Sequence, residues 1–539
     1  MQEQIKNLIK DALKSLNIGD IDFGLEHPED LKNGDYSTNV AMVLAKNLKT
    51  NPKELAEKIK SEIEKILPKE IQKIEAVGGF INFYLSREFF ANSIKKISTD
   101  KEFGKNNSLV GQKILVEHTD PNPFKEFHIG HLMPNVIGSA IARILDFNGG
   151  EVKQACYQGD VGMHVAKSIW AMQKGVDISG AYVAGALALN EDEVAKGEIQ
   201  EINKKIYDKS DKEINKIYNA GRKKSLEYFD SVYKKLGTNF DYFFFESEVA
   251  NIGKEIVEKN IGKVFEKGEG GAIVFKAENF DKTLHTRVFI NSEGLSTYEA
   301  KELGLAQVKY EKYKYDKSVI ITGNEINEYF KVLLCAMKQI FPELAEKTTH
   351  LSHGMLRLPS GKMSSRTGDV VTAESLIEMV KVKVKNEEIV AIGAIKYMIL
   401  RSSIGGDIIF DIETSVSTEG DSGVYLQYSH ARASSILTKA KKENISPDLE
   451  TIPEETFEVE KLLYRFPEVV LRSASEYQPH HITTYLTELA RAYNSFYANE
   501  IIVKKEDPTS PYKVAVTFAF TLVMKQGLHL LGIEAPEKM

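Results

Sequence analysis

Cysteine is nearly absent from this chain of 539 residues: only Cys156 and Cys335 occur, far apart and in no Cys-x-x-Cys spacing. That argues against a disulfide framework and a cysteine zinc site and fits a reducing compartment. A basic excess is missing as well, because 70 Lys and Arg face 77 Asp and Glu for a formal net charge of -7. Any site for a polyanion must therefore be local. No apolar run reaches the roughly 20 residues of a membrane span; the longest, Val514 to Met524, contains Thr517 and Thr521. The start, MQEQIKNLIKDALKSL, alternates charged and apolar residues at helical spacing and lacks the continuous apolar stretch of a secretory signal. Internal repeats and low-complexity segments are absent too. These absences predict a soluble, cytoplasmic protein with no membrane partner.

What is present is length and an apolar fraction of 42%, enough for two to four domains with cores of their own. Residues 1–106 read as a small α+β unit: an opening helix, a second helical pattern across Val40 to Ile66, and the alternating run Ile81 to Leu85. KEFGKNNSLVGQ reads as a linker. The short apolar strand Ile114-Leu115-Val116 then leads through a Pro-rich turn into a helical pattern from about Gly130 to Phe147, the strand–turn–helix order of a doubly wound α/β domain over 107–372. Within it, 199–236 is a charge-rich helical stretch ending at Gly237, and strands are expected in Ala272 to Lys276, Thr286 to Asn291 and Ser318 to Thr322. From Ala373 to the end the pattern is helical throughout, so an all-α bundle is expected over 373–539.

The strongest chemical signal is PNPFKEFHIGHLMPN, residues 121–135, placed after a strand and opening a helix. His128 and His131 are three apart and share a face on a first helical turn, while Gly130 between them lets a flat ligand approach the backbone. Free N–H groups and the positive helix end suit a triphosphate, and imidazole donors there can stabilise charge developing on an α-phosphate. His-x-x-His alone would more readily be a helix-capping pair or an i, i+3 metal site. Far downstream, Gly361-Lys362-Met363-Ser364-Ser365-Arg366-Thr367-Gly368 is a Gly- and Ser-rich segment whose lysine can reach outer phosphates; alone, it would read as a polar surface turn.

Together and in this order, the two segments resemble the nucleotide-binding signatures of class I aminoacyl-tRNA synthetases, whose Rossmann-like catalytic domain uses ATP, accompanied by Mg²⁺ without an all-protein cage. Ser365 stands where the class pattern Lys-Met-Ser-Lys-Ser has its second lysine. In arginyl enzymes a lysine just upstream of the histidine motif compensates for that loss, and Lys125 occupies the place, so the departure points to the arginyl family. The resemblance implies His128, His131, Lys125 and Lys362 as catalytic, and Pro123, Gly130, Met363, Ser364 and Ser365 as ATP-binding. Val116 to Asn122 resembles the family's arginine-binding segment, which implies Glu117 against the guanidinium and Asn122 against the backbone groups of arginine. Tyr157-Gln158-Gly159-Asp160-Val161-Gly162 resembles a turn near that site, with Asp160 its acid. Tyr298 and Glu302 match a family Tyr-x-x-x-Asp, the acid here one methylene longer. Ile326 and Tyr329 replace a family Gln and His, so that segment is assigned only to the pocket wall.

The likeness spans nearly the whole chain. Gly34 to Asn39 and Gly79 to Phe83 resemble the family's additional N-terminal domain, which touches the outer corner of the tRNA; Tyr425, Tyr428 and the terminal Met539 fall in segments like its anticodon-binding bundle, where tyrosines can stack on unpaired bases. The implied activity is ATP-dependent attachment of L-arginine to tRNA(Arg), by a monomer without a bound cofactor or resident metal. Two other classes compete. A nucleotidyltransferase with the same histidine motif would lack the large helical tail, and a silent tRNA-binding paralogue would have lost the histidines or the lysine; the tail and both signatures are present.

Overall fold

The computed structural model describes residues 1–19, 21–359 and 371–539. The N-terminal unit is an antiparallel sheet of β1 (Leu25–Glu26), β2 (Tyr36–Thr38), β3 (Ile71–Val77) and β4 (Phe80–Leu85) in the order β1-β2-β4-β3. Helices Gln2–Ser15, Val40–Leu48 and Pro52–Glu64 share its core. The helical pattern expected across Val40 to Ile66 is two helices, because Lys49 turns left-handed (φ 51) and Asn51 caps a new helix that begins with Pro52.

The central sheet contains β5 (Lys113–Glu117), β6 (Glu151–Gln158) and β7 (Tyr242–Phe245). After a small antiparallel sheet of β8 (Glu266–Lys267), β9 (Ile273–Phe275) and β10 (Arg287–Ile290), it is completed by β11 (Lys317–Gly323) and β12 (Thr348–His353). The five central strands are parallel, in the order β12-β11-β5-β6-β7. The chain therefore leaves β5 towards β6 and β7 on one side and returns to β11 and β12 on the other. The order reverses between β5 and β11, where Glu117 registers with Ile320, and ligand crevices of open α/β sheets form outside the carboxyl ends of strands at such a reversal. β5 is buried from Ile114 to Glu117, hence its apolar run.

The helix after β5, Ile129–Phe147, is buried on nearly every side. A side chain on Gly138 would collide with the His118 ring, so glycine lets the helix lie close to the strand end. The stretch 199–236 is also divided: Lys209 turns left-handed, and Asp211 caps the second helix, Lys212–Leu236, by accepting from Glu213 and Ile214 N–H. From Ala373 on the chain is helical apart from β14 (Ile408–Ile409), which pairs with β13 (Leu356–Arg357). Helices Ala373–Lys383, Glu388–Leu400 and Ser510–Leu530 share one continuous apolar core with Ile129–Phe147. Among the described residues no helix is long and apolar enough to cross a membrane.

Candidate active site

A cleft of about 760 Å³ opens at the carboxyl ends of β5 and β11. Its floor is the turn after β5, in which Thr119 (φ 83), Asp120 (φ 41) and Phe124 (φ 67) all adopt left-handed backbone without being glycine. Such conformations cost of order 1–3 kcal/mol each and persist where the surroundings enforce them. Here Thr119 Oγ1 accepts from Asn135 Nδ2 at 3.1 Å, Asp120 Oδ1 accepts from Tyr157 N–H at 2.7 Å, and Phe124 N–H donates to Ser225 Oγ at 2.9 Å. Asn122 lines the cleft, and a side chain on Gly159 would run into its Oδ1.

At one end of the cleft stand His128 and His131. His128 is the N-cap of the helix: its Nδ1 accepts from Gly130 N–H at 3.0 Å, and His131 Nδ1 accepts from His128 N–H at 3.3 Å. The rings stack with centroids 3.8 Å apart. Burial, with the nearby Lys125 charge, lowers His128 to about 4; burial and His128 hold His131 well below the usual imidazole range. Both rings are therefore neutral at pH 7, and because each Nδ1 accepts a backbone proton, the ring proton belongs on Nε2. Capping and phosphate recognition are thus not alternatives: one nitrogen caps and the other remains a donor. Val371 O accepts from Ile129 N–H and Ala373 N–H donates to Phe127 O, fastening the chain that follows residue 370 to the histidine motif.

The other end is acidic. Glu117, at the end of β5, is buried with its Oε2 2.9 Å from Lys309 Nζ. Glu246 Oε2 lies 2.5 Å from Lys301 Nζ, again between buried groups. Asp120 and Glu302 add two more carboxyls. Burial and the neighbouring Glu117 raise both, Asp120 well above the usual range and Glu302 to about 8. Four carboxyls thus stand with two lysines at this end, and a cation entering it would favour the ionised form of the raised pair. Tyr298, Tyr329 and Ile326 complete this wall.

Carboxylates at a strand end and a histidine pair at a helix start thus share one cleft, and comparison with known proteins shows the family. The family described as tRNA synthetases class I (R), catalytic domain, matches residues 93–412, more than half of the chain. The chain belongs to the arginyl-tRNA synthetase family. The Arginyl tRNA synthetase N terminal domain matches 3–85 and the DALR anticodon binding domain 426–539. An arginine–tRNA ligase of Borrelia turicatae is 30% identical over 100% of this chain and 99% of its own, and one of Treponema denticola is 30% identical over 96% and 94%. The structure of the Thermus thermophilus arginyl-tRNA synthetase superposes with a TM-score of 0.80 over the full length of both chains at 25% identity.

The remaining expected residues divide. Pro123 is buried in the turn. Lys125 does not line the cleft; its Nζ lies 4.5 Å from the centre of the Tyr182 ring, and burial with neighbouring Lys167 lowers it to about 8. Asp160 does not line the cleft either: its carboxylate accepts from Arg222 Nε (2.8 Å), Tyr218 OH (3.1 Å), and Ser247 N–H (2.9 Å) and Oγ (2.7 Å). Lys362, Met363, Ser364 and Ser365 lie outside the described residues. In the bundle, Tyr425 is half-buried with its OH accepting from Asn494 Nδ2, whereas Tyr428 is exposed. Arg432 lies between the Tyr428 and Tyr497 rings, 4.8 and 5.0 Å from their centres. The tail leading to exposed Met539 is tied to the same helix, since Gln427 Nε2 donates to Glu534 O at 2.9 Å and His430 Nδ1 lies 2.9 Å from Pro536 O. Sequence reasoning missed Lys301, Lys309, Glu246, Tyr157, Arg432 and Tyr497. A signal for Lys309 existed: on the helix Tyr298–Lys312 it stands two turns after Glu302, on a face that carries charge inward.

Proposed function

We propose that this chain activates L-arginine with MgATP and passes the arginyl group to the 3′-terminal ribose of tRNA(Arg). The observation that carries this reading is the pairing, on one cleft, of an acid-rich pocket with a neutral histidine pair at a helix start. The carboxylate of arginine attacks the α-phosphorus, pyrophosphate leaves, and a ribose hydroxyl then takes the arginyl group from the adenylate. The enzyme contributes position and fixed dipoles. His128 and His131 donate from Nε2 to the α-phosphate as charge builds, and being neutral they need lose no proton to do so. Gly130 leaves the helix start open to the nucleotide, and Pro123 fixes the turn before it. Lys125 and Lys362 neutralise the outer phosphates, with Met363, Ser364 and Ser365 on the nucleotide; the last four are assigned from their motif. Glu117, Asn122, Tyr298 and Glu302 surround arginine, and Asp160 holds the pocket wall through Arg222 and Ser247.

In this reading 1–106 touches the tRNA corner, 107–372 performs catalysis, and 373–539 reads the anticodon, with Tyr425, Tyr428 and Met539 on that surface and Arg432 and Tyr497 beside Tyr428. The enzyme works as a cytoplasmic monomer. ATP-dependent charging of total tRNA with each amino acid in turn tests it: arginine alone should be incorporated, and incorporation of another amino acid, or of none, defeats the reading.

A further inference from the structure

Two helices from distant parts of the chain end at one point. The helix Lys212–Leu236 and the helix Ser510–Leu530 each lead into a left-handed glycine, Gly237 (φ 62) and Gly532 (φ 67). The last carbonyls of a helix lack partners within it and carry its negative end, and here two cations meet them. Lys396, buried on the helix Glu388–Leu400, donates from Nζ to Leu236 O at 2.7 Å and to Gly532 O at 2.5 Å, while Arg143, on the histidine helix Ile129–Phe147, donates to Gly237 O at 2.7 Å. Burial and the Arg143 charge lower Lys396 to about 7. A buried cation beside a second cation is costly, and filling the space with an apolar side chain would avoid that cost.

The residue after Gly237 carries the contact to the cleft. Thr238 Oγ1 donates to Asn135 Oδ1 at 2.9 Å and accepts from Ser139 Oγ at 3.2 Å, and Asn135 Nδ2 donates to Thr119 Oγ1 in the left-handed turn of the cleft floor. All four side chains are buried, so these bonds are shielded from water. Asn135, Ser139 and Arg143 stand four apart, on one stripe of the histidine helix, and all three engage the turn Leu236-Gly237-Thr238. In the other direction, the tail beyond Gly532 is bonded through Glu534 O and Pro536 O to Gln427 and His430 of the helix Gly423–Lys442. We infer that Lys396 is a positioning residue: by clamping the C-terminal tail to the turn 236–238 it keeps Thr119 and the cleft floor in place, so that unseating the tail slows adenylate formation from a distance. This goes beyond the proposed activity and rests on it, because adenylate formation is what responds. Small displacements of reacting groups are enough, since a misplacement of about 1 Å can cost about 10²-fold in rate.

Continuity in space is not coupling, and a double-mutant cycle measures it. The test uses the full-length enzyme with tRNA and reads the single-turnover rate of adenylate formation per folded enzyme. Lys396→Met keeps an unbranched side chain and deletes its donors; it should slow that step about tenfold or more. Gly532→Ala sets a methyl against Arg143 Nη1 and Lys396 Nζ and should act in the same direction; where Lys396→Met does not fold, it carries the test. Thr238→Val deletes the hydroxyl at the cleft end of the route and should slow the same step, and Thr238→Ser should recover most of that loss. Joined to Thr238→Val, either Lys396→Met or Gly532→Ala should give an enzyme no slower than the slower single variant, because one route can be cut only once. A normal rate in the tail-side variant, or losses that multiply in the double variant, overturns the inference. Failure of the unaltered enzyme to charge tRNA with arginine would instead overturn the proposed function.

Discussion

At the histidine end of the cleft the groups offered to a ligand are neutral imidazoles and the start of a helix; at the acidic end they are carboxyls in excess over lysines, and in the proposed reading the first meets ATP and the second arginine. The ligands differ correspondingly. A triphosphate carries its own charge and counter-ions and develops more charge during reaction, so fixed donors that need not ionise serve it best. Arginine brings a permanent cation that must be desolvated, and carboxyls that ionise against it compensate for that. Burial acts on both ends with opposite outcomes: it lowers the histidines and raises Glu302 and Asp120. The same low polarity thus favours neutral groups at both ends, and a cation entering the acidic end would draw the raised carboxyls towards their ionised form.

The largest effect that tests this contrast should be on stability. Glu117→Gln leaves the buried Lys309 ammonium without its partner, and breaking a buried pair on one side costs about 3–5 kcal/mol; chemical denaturation should show it, and a loss below about 1 kcal/mol would mean the pair is solvated. Next, His128→Asn retains a good helix cap while deleting the imidazole donor, so adenylate formation should fall about 10²–10³-fold with little change in melting temperature. Were melting to fall while adenylate formation survived, the histidine would be a cap and nothing more. Lys125→Ala should slow adenylate formation by about 10²-fold with arginine binding hardly altered, and Ser365→Lys in that background should restore part of the rate, the coupling being read from a double-mutant cycle.

The smallest test compares the two ends directly. Glu302 is protonated below about pH 8 in the free enzyme and a guanidinium favours its carboxylate, so kcat/KM for arginine should rise with pH and level near 8. Lys125 must be charged to meet phosphate and loses its proton near the same pH, so kcat/KM for ATP should be level below about 8 and fall above it. Each slope is at most about tenfold per pH unit. Parallel profiles for the two substrates would erase the contrast.

The histidine pair at a helix start was legible in the sequence because its elements are local: an apolar strand, a turn and His-x-x-His on a first helical turn can be read within about 20 consecutive residues. The amino-acid half was legible only as single acids. That Glu117 meets Lys309 and Glu246 meets Lys301 depends on β5 and the helices Glu246–Lys259 and Tyr298–Lys312 converging, and no spacing along the chain encodes those pairs. β6 was missed because EVKQACYQ shows neither an apolar run nor clean alternation; only its last four residues are buried. The break at Lys209 was missed although its signal was present, since Asp211 before Lys-Glu-Ile is a good cap; helical periodicity on both sides masked it. The helices after Ala373 read correctly as helices, but nothing in their amphipathic pattern disclosed that their apolar faces close over the helix that carries the histidines.

The reciprocal bonds at His128 and His131 tie readiness for catalysis to the opening of a single helical turn. Terminal turns open at far lower free energy than a core melts, and here opening would withdraw both imidazoles together and leave each free to protonate or change tautomer. On heating, adenylate formation should therefore disappear before the cooperative loss of helical signal. ATP, by occupying that turn, should narrow the interval between the two temperatures, because a ligand that binds only the closed form stabilises it by mass action.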